Sequence, residues 1–102
     1  MRLKNDVRLH GIRPEIVFAL IVSEQVYRDY GTELVVTSVI DGRHMPGSLH
    51  YAGCAADLRI RELPEGKAPH VRFQIAERLG ADFDVALEAD HIHLEFQPKK
   101  PY

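Results

Sequence analysis

The chain has 102 residues, enough for one hydrophobic core and too few for two. Apolar residues make up 45% and charged residues 27%, a balance that excludes a disordered chain, and a formal charge of −2 argues against a nucleic-acid binder. A single cysteine, Cys54, excludes an intrachain disulfide framework. The longest apolar stretch, around 16–22, is far too short to span a bilayer. The first residues, MRLKND, lack the apolar core of a signal peptide, so the expectation is a chain made in the cytoplasm. Six histidines against no tryptophan are the one unusual count.

In chain order, the first predicted element is a helix over about 14–30. Pro14 suits a first helical turn, Ile16, Val17, Leu20, Ile21 and Tyr27 recur at helical spacing, and Gly31 can end it. A β-branched run over 33–40 (ELVVTSVI) reads as a strand, and a loop of turn formers follows over 41–48. A short strand is predicted over 55–60, then a charged loop over 61–67. A second helix follows over about 69–79, with Val71, Ile75 and Leu79 as its apolar stripe and Gly80 at its end. Two strands close the chain, over 84–88 and 91–96, joined by a tight turn at Ala89 and Asp90. The tail over 97–102 is expected to fray. This order predicts a single α+β domain over 1–102. It would be a small, mainly antiparallel sheet with helices packed on one face and a site on the other.

Side chains alternate across a strand. In the last strand Ile92, Leu94 and Phe96 share one face, leaving His91, His93 and Glu95 on the other. Over 55–60, Ala56, Leu58 and Ile60 point inward, and Asp57 and Arg59 outward. An outward aspartate beside two outward histidines would begin a metal site, although alternate polar residues also mark any sheet with a solvated face. His10 and His70, near the helix starts, read as solvent-facing. His44, in the loop, is left either at a site rim or without a role.

The segment SLHYAGCAAD over 48–57 reads S-x-H-x-x-G-x-A-x-D, and DHIHLE over 90–95 reads D-x-x-H-x-E. Together, in this order, they resemble the two signatures of the zinc D-Ala-D-Ala metallopeptidase superfamily. That superfamily includes D,D-carboxypeptidases, D-Ala-D-Ala dipeptidases, phage endolysins and the Hedgehog signalling domain. The resemblance covers roughly residues 37–96.

By this resemblance His50, Asp57 and His93 are the ligands of one Zn2+, leaving a fourth position open for water. Asp90 matches the general base, with Glu88 as the alternative, and His91 matches a neighbour that stabilises an oxyanion or orients substrate. Family members carry a substrate-binding arginine after the first strand. Here the nearest arginine, Arg43, is displaced from that place, and Arg43 and Ser48 stand as the candidates for substrate binding. Cys54 falls at a variable motif position and reads as a small buried residue rather than a ligand.

The implied activity is hydrolysis of peptide bonds next to D-amino acids in bacterial peptidoglycan, by a carboxypeptidase or an endopeptidase. Such a monomer would suit a phage or prophage lysis enzyme that reaches the cell wall after release. Two alternatives stay open. One is a non-catalytic zinc-containing binding module of the same fold, and the other is a cytosolic D-Ala-D-Ala dipeptidase.

Overall fold

The computed structural model describes residues 1–39 and 54–98. Their elements run β1 (Arg2–Leu3), α1 (Pro14–Asp29), β2 (Val35–Ser38), β3 (Ala55–Arg59), α2 (Ala68–Leu79), β4 (Phe83–Leu87) and β5 (His91–Phe96). The five strands form one mixed sheet in the order β1-β2-β3-β5-β4. Only the β1–β2 pairing is parallel; the other three are antiparallel. The chain is therefore α+β, as the order of elements predicts.

Both helices pack against one face of the sheet. Ile92 and Leu94 of β5 and Ala56 and Leu58 of β3 are buried in one cluster with Ile16, Leu20 and Tyr27 of α1 and Val71 and Ile75 of α2. Alternation along β3 and β5 thus delivers the predicted inward set, with Phe96 and Ile60 packed at its margin.

Helix α1 corrects part of the sequence reading. Its buried residues are Ile16, Ala19, Leu20, Val22, Ser23, Val26 and Tyr27, whereas Val17 and Ile21 are 42% and 46% exposed. The stripe recurs at three and four residues and includes small members. The Ser23 hydroxyl fits there because it donates to the Ala19 carbonyl at 2.7 Å. Val17 and Ile21 recur at helical spacing but lie on the solvent side of that stripe. At the other end, Gly31 adopts φ 68°, a left-handed conformation that turns the chain out of the helix.

Strand β1 is not foreseen from the sequence. It is two exposed residues long and held by backbone bonds, Arg2 N–H to the Leu34 carbonyl at 2.8 Å and Lys4 N–H to that of Val36 at 2.9 Å. The N-terminal amine also pairs with Glu24. Strand β2 begins two residues later than expected, and β4 runs one residue earlier. The β4–β5 turn falls at Ala89–Asp90 as expected, closed by Glu88 N–H to the His91 carbonyl at 2.8 Å. Pairing also reaches into the expected tail, where Gln97 N–H donates to the Asp82 carbonyl at 2.6 Å. No helix among the described residues is long and apolar enough to cross a membrane.

Candidate metal centre

The face of the sheet turned away from the helices carries the polar residues of β3 and β5. In the β3–β5 register Asp57 stands opposite His93, Arg59 opposite His91 and Ala55 opposite Glu95. Directly paired residues project to the same face, so backbone pairing alone brings Asp57 to His93 across 36 residues of sequence.

A bulge sharpens this placement. Between the pairs Val36–Leu58 and Ser38–Asp57, strand β2 advances two residues while β3 advances one. The extra residue is Thr37, whose hydroxyl donates to the Asp57 carbonyl at 3.4 Å. Bulges re-aim neighbouring side chains, and this one adjoins the aspartate of the site.

The His93 ring is held at both nitrogens, with Nδ1 2.7 Å from Asp57 Oδ1 and Nε2 2.6 Å from Glu95 Oε1. The bond to Asp57 is the main cause that raises the pKa of His93 from 6.5 to about 9. Glu95 adds to the rise, and partial burial opposes it. His91 lies beside this ring with its centroid 6.5 Å away and its plane nearly perpendicular. Its Nε2 is 3.7 Å from Asp57 Oδ1, and its Nδ1 is 2.7 Å from Asp90 Oδ1. That bond holds the Asp90 carboxyl below its ordinary pKa, so it is ionised at neutral pH.

One ligand atom each from Asp57, His91 and His93 lies within 4.8 Å of the others, and this trio can hold a metal ion. Two imidazoles and a carboxylate are a donor set that suits transition metals. A cleft of about 740 Å³ opens beside the trio, lined by Asp57, Asp90 and His91 together with Lys4, Thr37 and Arg59. Arg59 is held back by Glu62, through Nη2 to Oε2 at 2.8 Å and Nε to Oε1 at 3.0 Å. Lys4 also lines the cleft, a basic residue that the sequence reading does not single out. Only the pairing of β1 brings it there.

The structure therefore brings together Asp57, His91, His93 and Asp90. Glu88, the alternative base, is exposed and follows the β4 register to a place opposite His91. His50, Arg43, Ser48 and His44 lie outside the described residues. Cys54 is buried, which raises its thiol pKa, as fits a packing residue. His10 and His70 are exposed, as expected.

Sequence reasoning misses the bulge at Thr37 and the grip of Glu95 on His93. The second was visible as an acid two residues along the same strand face; the first leaves no trace in one sequence. No protein-family model and no curated protein matches this chain.

Proposed function

We propose that the chain is a zinc-dependent peptidase that hydrolyses peptide bonds next to D-amino acids in peptidoglycan. The observation that carries this reading is the meeting of Asp57 and His93 at 2.7 Å, one from each motif of the resemblance, at the wall of a cleft. In this reading His50, Asp57 and His93 hold the zinc, and His91 stands next to it. Bound there, zinc would supply a Lewis acid and lower the pKa of a water from about 15.7 towards 7.

The remaining chemistry belongs to the chain. Asp90, on the β4–β5 turn and 90% exposed, is an ionised carboxylate at the cleft wall. One of its oxygens accepts from His91, leaving the other to take a proton from the attacking water and pass it to the leaving amine. His91 Nε2 lies 3.7 Å from Asp57 Oδ1, on the side of the cleft where an N–H at that position would stabilise a developing oxyanion. Lys4 adds positive charge to the same wall, suited to an anionic peptide.

The test is zinc-loaded protein incubated with intact peptidoglycan and with short peptides ending in D-Ala-D-Ala. New amino groups should appear, stop on chelation and return with added zinc. Release from the short peptides alone would favour the dipeptidase. Zinc uptake without release from either substrate would refute the peptidase and leave a binding module.

A further inference from the structure

His93 offers two nitrogens, and a metal ligand must present one lone pair in a fixed direction. We propose that Glu95 is the positioning residue that makes this choice, by holding the Nε2–H so that Nδ1 faces the metal. The inference rests on reading Asp57 and His93 as metal ligands.

Both ring nitrogens meet a carboxylate, and the reading of Asp57 as a metal ligand separates the two ends of the ring. Glu95 Oε1 lies 2.6 Å from His93 Nε2, and an ionised carboxylate can only accept, so the hydrogen at that end of the ring is on nitrogen. The opposite nitrogen, Nδ1, lies 2.7 Å from Asp57 Oδ1, the oxygen that also lies 3.7 Å from His91 Nε2. The edge of the ring that meets the proposed metal is therefore Nδ1. In a neutral imidazole with its hydrogen on Nε2, that nitrogen carries the lone pair. Strand geometry makes the arrangement easy. Residues two apart on β5 share a face about 6.5–7 Å apart, within reach of a glutamate side chain.

The cross-strand neighbours of Glu95 support a dedicated role. On the β3 side its partner is Ala55, too small to compete for its carboxylate. On the β4 side its partner is Asp84, whose carboxylate is an acceptor and offers no hydrogen to Glu95. The glutamate side chain is mostly shielded from solvent, which strengthens a charge-assisted bond.

The test is a competition titration with a zinc chelator on wild type, Glu95→Leu and Glu95→Gln, with thermal melts of the metal-free proteins to establish folding. Outer carboxylates of this kind contribute about 10–100-fold to metal affinity. Glu95→Leu should lose zinc affinity by about that factor, and Glu95→Gln should recover most of it, because its amide oxygen still accepts from Nε2. Nitrogen chemical shifts of zinc-loaded wild type should show His93 with hydrogen on Nε2 and metal on Nδ1. Equal affinity in wild type and Glu95→Leu, or a Glu95→Gln protein as weak as Glu95→Leu, would overturn the assignment. Metal on Nε2 would overturn it as well. A wild type that takes up no zinc would overturn both this inference and the reading beneath it.

Discussion

Without metal, His93 carries a titration that the structure makes specific. In chelator-treated protein His93 sits between the carboxylates of Asp57 and Glu95, and its pKa rises from 6.5 to about 9. The folded state then holds the imidazole proton more tightly than the unfolded state does. The resulting stabilisation is whole below about pH 6.5 and is lost as pH rises through about 9. In a dry site that rise would contribute about 3 kcal/mol. With His93 22% exposed on a solvated sheet face, screening reduces the expectation to about 1–2 kcal/mol. The assay is urea unfolding of wild type and His93→Gln in chelator, at about pH 6 and about pH 9.5. The stability gap between the two proteins should narrow by about 1–2 kcal/mol at the higher pH. A gap that stays constant or widens would refute the assignment of this proton to His93.

Two further outcomes follow from named contacts. Asp90→Asn should keep its zinc and lose hydrolysis by about 10²–10⁴-fold, the usual contribution of a general base, whereas undiminished turnover would move that role to Glu88. Tyr27 is buried in α1 and donates its hydroxyl to the Arg59 carbonyl at 2.8 Å, with burial pushing its pKa well up. Tyr27→Phe should therefore cost about 1–2 kcal/mol in urea unfolding, and an unchanged midpoint would show that this tie between α1 and β3 contributes nothing.

Much of the sheet was readable because period two is an unambiguous signal when one face is buried. Ile92 and Leu94 alternate with His91 and His93 so cleanly that the bounds of β5 and its open face follow directly. The β4–β5 turn was equally legible, since two apolar strands separated by two residues leave little other geometry. Helix α1 was legible in extent and misread in face, because Val17 and Ile21 look like core residues until Ala19 and Ser23 are seen to complete the stripe. Strand β1 was illegible. Its pairing is made by backbone groups whose placement depends on β2, and Arg2 and Leu3 carry no pattern of their own.

At the site, motif spacing could name Asp57 and His93 but not their distance. Register supplies the contact, and the Thr37 bulge beside Asp57 is a property of two strands together. Likewise, His91 could be placed on the right face by alternation. Only the structure shows its ring engaged by Asp90 and turned towards Asp57.

The central claim is that Asp57 and His93 hold a metal ion, and the most direct measurement is zinc bound per chain after loading and desalting. Wild type should retain one equivalent, and Asp57→Ala should fall well below it, because the carboxylate is the only anionic ligand in the proposed set. Asp57→Ala retaining a full equivalent would contradict the account.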